Sequence, residues 1–160
     1  MDVSRRKVMA MSAALFVMSP GAHASGAPVL LTVTGKVDGG QVSFDREELR
    51  SLDWQEITTF TSFTEGQQTF AGPTLASVLR AVAARGERIH ATAINDYTVS
   101  FPFADAEEHD VLLAMEHNGR PMRVRDKGPI WVVYPLSEDE AAAQKRDAEM
   151  IWQLDRLIVD

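Results

Sequence analysis

The sequence contains no cysteine, although 45% of its 160 residues are hydrophobic. This absence excludes disulfide bonds and thiolate ligands for a metal. A chain of this length can bury roughly two-thirds of the surface that its unfolded form exposes, so it needs neither a disulfide nor a structural metal to fold. The charged fraction of 24% is ordinary for globular proteins, and the length predicts one domain.

The sequence motifs of several common catalytic classes are also missing. The chain has no glycine-rich phosphate loop, no G-x-S-x-G motif and no H-E-x-x-H motif. His90 and His117 have no partners at the spacing of metal ligands. The run EEHD at 107–110 is consecutive, so its side chains cannot easily converge on one ion, and a solvated loop is expected there.

The first 24 residues have the layout of a cleavable signal peptide. Basic residues at 5–7 precede an apolar run at 8–18, which is too short to span a bilayer, and a small-x-small site follows at 22–24. The arginine pair resembles part of a twin-arginine signal, but the usual Phe-Leu is absent, so both export routes stay open. The alternative is a buried N-terminal helix. We expect export to the periplasm and cleavage near Ala24.

Cleavage leaves an acidic domain, residues 25–160. Removing residues 1–24 removes three basic residues and one acidic residue, which leaves 13 basic and 22 acidic residues and a net charge of −9. Such a surface does not suit nucleic acid or anionic lipid. No second long apolar run follows, so we expect no insertion into the membrane after cleavage.

Short strands that do not alternate regularly with helices dominate the rest of the chain. Alternating and β-branched patterns predict strands at 29–37, 42–44, 54–63, 89–94, 97–101, 111–115, 129–134 and 154–159. Asp45 begins a predicted helix, and Pro73 opens another that ends at a Gly86 C-cap. Ser137 with Glu140 begins a third helix or a loop. This order predicts an α+β fold, in which two or three helices pack on mixed or antiparallel sheets.

Five segments, in this order, resemble motifs of one known family. They are FAGPTLASVL at 70–79, AINDYTV at 93–99, LAMEHNGRPM at 113–122, GPIWVVYP at 128–135 and WQLDRLIV at 152–159. They are similar to the F-x-G-V-x-L-x-x-L-L, A-x-D-G-Y, L-A-x-x-x-N-G-x-P-L, G-P-x-R-L-V-x-P and K-W-L-K-R-I-x-V segments of the molybdopterin-binding domain of the sulfite oxidase family. The resemblance covers nearly all of residues 25–160 and implies the sulfite-oxidase-type fold. A shared fold says much less about activity.

The resemblance is broken where the family's enzymes bind their metal. Those enzymes hold molybdenum through one cysteine, which falls in the segment matching 58–63, and a hydroxyl is not equivalent to a thiolate at neutral pH. The family's arginine after G-P-x is matched by Trp131, and its lysine before W-L is matched by Trp152. Both basic residues help to hold the anionic cofactor, so the exchange favours a flat neutral heterocycle over a phosphate. We therefore expect no molybdenum.

Residues near these exchanges are the candidates for ligand binding. The Asp96 carboxylate can accept two hydrogen bonds from the 2-amino-4-oxo pyrimidine edge of a pterin, whereas the alternative for Asp96 is a turn. Trp131 is either a stacking platform or a core residue. The charged stretch 123–127 is either a rim that grips a polar ligand tail or a solvated edge. The predicted ligand-binding residues are Thr59, Thr61, Ser62, Asn95, Asp96, Tyr97, Arg123, Arg125, Lys127, Trp131 and Trp152.

The resemblance implies a cysteine-free periplasmic branch of this fold. Its members are implicated in binding reduced pterins and reporting them to membrane proteins that control cyclic-di-GMP. We therefore expect a non-catalytic binding protein for a tetrahydropterin-type ligand, with the periplasmic domain of a membrane signalling protein as its partner. Two alternatives stay open. One is a molybdopterin-dependent oxidoreductase with a non-cysteine metal site, and the other is an interaction protein that kept the fold, lost the pocket and docks through an acidic helix at 137–149.

Overall fold

Eleven strands and four α-helices form the part of the chain that the computed structural model describes, residues 26–160. In chain order the elements are β1 (Leu31–Gly35), β2 (Gln41–Phe44), α1 (Arg46–Arg50), β3 (Trp54–Thr59), β4 (Gln68–Pro73), α2 (Leu75–Ala81), β5 (Arg88–Ala93), β6 (Thr98–Pro102), α3 (Asp105–Glu108), β7 (Leu112–Ala114), β8 (Glu116–His117), β9 (Arg120–Pro121), β10 (Trp131–Val133), α4 (Glu138–Ala142) and β11 (Leu154–Val159). One 3-10 helix, Val124–Asp126, lies between β9 and β10. The predicted signal peptide lies outside the described residues.

The larger sheet has the strand order β2-β1-β11-β5-β6. Strands β1 and β11 pair in parallel, with Val33 opposite Leu157, whereas the other neighbouring pairs are antiparallel. Leu31 and Val33 on β1, and Leu154 and Leu157 on β11, are fully buried. The sheet is therefore mixed, and the α+β fold predicted from the sequence is confirmed.

The remaining strands form the sheet β3-β4-β8-β9 and the strand pair β10-β7. Strand β4 runs close to β7, where the Met115 N–H donates to the Ala71 carbonyl over 2.8 Å. Gly72 permits this approach, because a Cβ at that position would lie 2.0 Å from the Leu113 carbonyl oxygen. Both strands of the β10-β7 pair are buried along their whole length, so this pair forms the middle of the hydrophobic core.

Two helices begin with the capping boxes that the sequence predicts. At α1 the Asp45 carboxylate accepts from the Glu48 N–H over 2.9 Å, and at α4 the Ser137 hydroxyl accepts from the Glu140 N–H over 3.3 Å. In both boxes the glutamate side chain accepts in turn from the backbone N–H of the N-cap residue. Helix α4 ends at Ala142, so most of the acidic segment that was expected to be helical consists of turns.

Both predicted ends of the second helix are wrong. Pro73 belongs to β4, and the N-cap of α2 is Thr74, whose hydroxyl accepts from the Ser77 N–H over 3.2 Å. The helix ends at Ala81, five residues before Gly86. A Cβ at Gly86 would lie 2.4 Å from the Asp160 carbonyl oxygen, so this glycine permits a close backbone contact and does not cap the helix.

Tertiary pairing explains the remaining differences from the sequence prediction. Residues 68–73 form a strand, predicted as a loop and a helix start, because they have partners on both sides in β3 and β8. Strand β3 ends at Thr59 and not at 63. Part of the acidic run at 107–110, which was predicted as a loop, belongs to the short helix α3. No helix within residues 26–160 has the length and apolarity needed to cross a membrane.

Candidate ligand-binding site

The two tryptophans that the sequence analysis selected lie side by side. Trp131 and Trp152 form an antiparallel β-bridge, and their ring centroids are 6.5 Å apart at an interplanar angle of 76°. Trp131 is only 1% exposed, and its indole N–H donates to the Met150 carbonyl over 3.0 Å. Trp152 is 39% exposed. Trp131 is therefore a core residue, and Trp152 presents the open ring surface.

Phe63 joins these tryptophans to the loop that follows β3. Its ring lies nearly perpendicular to that of Trp152 at a centroid distance of 5.1 Å, and it approaches Trp131 at 6.2 Å. The Lys127 ammonium lies over both indoles, 5.5 Å from the Trp131 centroid and 5.7 Å from that of Trp152. This cation also contributes to lowering the pKa of His117, for which burial is the larger cause. The result is an aromatic cluster with one cation above it.

A cleft of about 460 Å³ opens beside Trp152. Its volume falls in the range of small-molecule sites, roughly 300–1,000 Å³. Two backbone hydrogen bonds connect the chain segments near the cleft. The Ile94 N–H donates to the Gln153 carbonyl over 2.9 Å, and the Gln153 N–H donates to the Lys127 carbonyl over 3.0 Å. The side chains that matter most in its lining are Phe63, Asn95, Tyr97, Asp147, Met150 and Trp152.

The turn at 95–97 places two of its three predicted residues in this cleft. The Ala93 N–H donates to the Tyr97 carbonyl over 2.8 Å, and the Asn95 side-chain oxygen accepts from the Tyr97 N–H over 3.2 Å. Asp96 has a left-handed backbone with φ of 66°. Its side chain is 81% exposed and forms an ion pair with Arg156 instead of lining the cleft. The turn alternative is therefore the one that the geometry of Asp96 supports.

Two of the three hydroxyl residues predicted to bind a ligand between 58 and 63 form hydrogen bonds within the protein. The buried Thr59 hydroxyl donates to the Leu136 carbonyl over 3.0 Å and accepts from the Leu136 N–H over 2.7 Å. The buried Thr61 hydroxyl lies 2.7 Å from that of Thr64. Ser62 is exposed. The residue of this loop that reaches the cleft is Phe63, which the sequence interpretation did not select.

Arg123 and Arg125 are not among the residues that line the cleft. Arg125 lies within the 3-10 helix and Arg123 is its N-cap residue, so strand alternation does not apply to them. The Arg123 guanidinium donates to the Asp126 carboxylate over 2.9 Å, and this hydrogen bond is the main cause that lowers the pKa of Asp126. Arg125 lies 3.9 Å from the same carboxylate. Of the predicted basic rim, Lys127 is the member that contacts the tryptophans.

Asp147 is the functional candidate that the sequence interpretation missed. It lines the cleft, and its Oδ1 is buried without a hydrogen-bond partner among the described residues. Left-handed residues at Gln144 (φ of 56°) and Arg146 (φ of 65°) turn the chain here, so that the segment is not the helix its composition suggested. No motif marks such a turn, so the sequence carries little signal for Asp147.

Arg146 anchors this turn to the protein interior. Its guanidinium lies 3.2 Å from the buried Asp105 carboxylate, 2.8 Å from His109 Nε2 and 5.1 Å from the centroid of the Tyr134 ring. The Tyr134 hydroxyl donates to Asp105 over 2.8 Å. Burial, followed by this hydrogen bond, raises the pKa of Tyr134 above its ordinary value. These contacts fix the position of Arg146, which precedes Asp147 in the chain.

Comparison with known proteins defines the class to which this fold and site belong. Residues 24–138 match the oxidoreductase molybdopterin binding domain, and the chain belongs to this family. It is also similar in structure to the sulfane dehydrogenase SoxCD from Paracoccus pantotrophus, with a TM-score of 0.63 and 20% sequence identity. This match covers 81% of the present chain and 37% of the SoxCD chain, so it shows the fold alone. No curated protein sequence matches the chain.

The residues of the cleft do not fit the metal-bearing, phosphorylated form of the family's cofactor. The sequence supplies no thiolate for molybdenum. Among residues 26–160, no three histidine or acidic side chains form a group that could hold a metal ion. The charged side chain in the described lining is the acid Asp147, which would repel a phosphate, and the cation nearby, Lys127, lies over the indole rings. The flat heterocyclic part of the cofactor, in contrast, suits the aromatic side chains of the lining.

Proposed function

We propose that this chain is a non-catalytic binding protein for a reduced pterin or a similar planar heterocycle. The observation that carries the proposal is the exposed indole of Trp152, which stands at the edge of a 460 Å³ cleft together with Phe63 and Tyr97. Aromatic rings in such a position stack on a flat ligand, and each stacked pair adds roughly 1 kcal/mol beyond the area buried. Membership in a molybdopterin-binding family supports a pterin as the heterocycle.

The interior of the site supports binding without catalysis. The buried hydroxyls of Thr59 and Thr61 already have protein partners, and neither lines the cleft. Lys127 stands over the indoles and can contact an electron-rich ligand that extends past Trp152. The side chains of the lining can therefore stack and form hydrogen bonds, and among residues 26–160 no three histidine or acidic side chains form a group that could hold a metal ion.

Titration of the purified protein with a tetrahydropterin, followed by tryptophan fluorescence, tests this proposal. We expect saturable quenching for the wild-type protein. Trp152→Ala should weaken binding at least about tenfold, because it removes the open stacking surface. The matched control is Trp54→Ala, since Trp54 packs against Arg50 at 4.7 Å, outside the cleft. Absence of quenching at millimolar ligand in the wild-type protein would refute the proposal.

Export and signalling form part of the same proposal. The predicted signal peptide supports a periplasmic location, and the exposed side chains of Ile94 and Tyr97 give a partner an apolar surface to contact. We infer that the loaded protein reports its ligand to the periplasmic domain of a membrane protein that controls cyclic-di-GMP. Cyclic-di-GMP should then change on deletion of the gene, and wild-type protein should restore it while Trp152→Ala should not. Equal restoration by both would contradict the relay.

A molybdenum-dependent oxidoreductase is the second candidate, because the family match favours it. Elemental analysis of protein purified from its native periplasm tests it. Stoichiometric molybdenum would establish that candidate and displace the non-catalytic proposal. A third possibility, a protein that kept the fold and lost the pocket, is disfavoured by the open cleft next to Trp152.

A further inference from the structure

A half-buried acid faces the same cleft, and one of its oxygens lacks a partner. Asp147 lines the cleft beside Ala148 and Met150, and its Oδ1 has no hydrogen bond within residues 26–160. A buried carboxylate oxygen without a donor is unfavourable, because it has lost its water and gained nothing in exchange. This oxygen is covered by neighbouring atoms in the structure, so the side chain must rotate slightly towards the cleft before a ligand can donate N–H groups to it. Such a contact would remove the penalty.

The neighbouring cation is engaged elsewhere. The Arg146 guanidinium lies 3.2 Å from Asp105 and 3.5 Å from Glu149, and it also contacts His109. These contacts hold the turn in which Asp147 lies, since Arg146 and Asp147 are adjacent in the chain. In this turn, Arg146 therefore contacts the interior network, and the adjacent Asp147 lines the cleft.

A carboxylate has only acceptors, and its two oxygens can receive two parallel N–H donors. The 2-amino-4-oxo pyrimidine edge offers two such donors on adjacent atoms, the ring N–H and the exocyclic amine. A 2,4-dioxo edge, in contrast, directs a carbonyl oxygen at the acid beside a single N–H. The two edges have nearly the same shape, so the hydrogen-bond pattern decides between them.

We propose that Asp147 is the specificity-determining residue of the cleft and selects heterocycles with a 2-amino-4-oxo pyrimidine edge over their 2,4-dioxo relatives. This inference rests on the proposed function, because it concerns the same cleft. Trp152 and Phe63 supply a face that stacks on either heterocycle, and Asp147 reads the edge. Asp96, to which the sequence interpretation gave this role, points to Arg156 instead.

The test compares two ligands, tetrahydropterin and tetrahydrolumazine, which differ in the amine or carbonyl at position 2. Wild-type protein should bind tetrahydropterin at least about tenfold more tightly, because the dioxo ligand leaves an acceptor facing the carboxylate. Asp147→Asn keeps the size of the side chain and offers one acceptor and one donor, which matches the dioxo edge. This variant should lose the preference or reverse it. Asp139→Asn, which removes the same charge from the exposed face of α4, should keep it.

The possible outcomes separate the two proposals. Binding of tetrahydropterin with no preference over tetrahydrolumazine in the wild-type protein overturns the role of Asp147 and leaves the proposed function standing. An unchanged preference in a folded Asp147→Asn variant also overturns that role. If the wild-type protein binds neither ligand, both proposals are overturned. Thermal unfolding of each variant establishes that it is folded, and the wild-type comparison of the two ligands decides the question even where a variant is not.

Discussion

Trp131 and Trp152 are neighbours across one β-bridge, yet one is buried and the other is open to the cleft. Trp131 belongs to β10 in the middle of the core, and its indole N–H donates to the Met150 carbonyl. Trp152 precedes β11, and its ring lies nearly perpendicular to that of Phe63. The two indoles therefore have different roles. Trp131 adds to the core, and Trp152 adds to the exposed surface beside the cleft.

Replacement of the two tryptophans should separate stability from binding. Trp131→Ala should lower the free energy of unfolding by about 3–5 kcal/mol, because it leaves a cavity in the core. Trp152→Ala should lower it by only about 1 kcal/mol, since that side chain is partly exposed. Urea denaturation of both variants measures the difference. Equal losses would mean that Trp152 is as much a part of the core as Trp131.

The Thr59 hydroxyl should contribute to stability through its two hydrogen bonds to Leu136. Thr59→Val keeps the shape but leaves the Leu136 N–H and carbonyl without these partners, at a cost of about 1–3 kcal/mol. Thr59→Ser should retain most of the stability, because it keeps the hydroxyl. Thr58→Val is the control on the exposed side of the same strand. A stable Thr59→Val variant with weakened ligand binding would show instead that this hydroxyl contacts the ligand.

The buried Tyr134 should make stability fall at alkaline pH. Its pKa is raised above the ordinary value of 10.0 in the folded protein, so above that pH the unfolded chain releases a proton that the folded chain keeps. The free energy of unfolding should then decrease by up to about 1.4 kcal/mol per pH unit. Tyr134→Phe should reduce this slope, whereas Tyr97→Phe, which removes an exposed hydroxyl, should preserve it. Urea denaturation between pH 9 and 11 provides the measurement, and parallel slopes for the wild type and Tyr134→Phe would contradict it.

The sequence predicts the fold well where a motif corresponds to a steric requirement. The glycine of the segment FAG at 70–72 is one example, because a side chain there would collide with the Leu113 carbonyl and separate β4 from β7. The capping boxes at Asp45 and Ser137 are others, since the bonds that define them are local. Strand β4 was missed because its strand character comes from partners distant in the chain, which no local pattern reveals.

The candidate site was predictable only in part, for the same reason. The resemblance led to Trp152, Asn95 and Tyr97, all of which line the cleft. It also led to Asp96, because an acid next to the turn is the obvious partner for a pterin. The acidic residue that lines the cleft is Asp147, and its position depends on two left-handed residues and on the distant contacts of Arg146. Neither can be read from composition or spacing.

The position of β11 also determines when the protein can assemble. This strand lies between β1 and β5, and it supplies the parallel partner of the first strand of the sheet. During synthesis the sheet remains split into β1-β2 and β5-β6 until residues 154–159 have left the ribosome. The two halves expose their unpaired edges throughout that time, which is a state prone to aggregation. Chaperones that bind nascent chains should therefore have a longer period to recognise this protein than one whose central strand is made early.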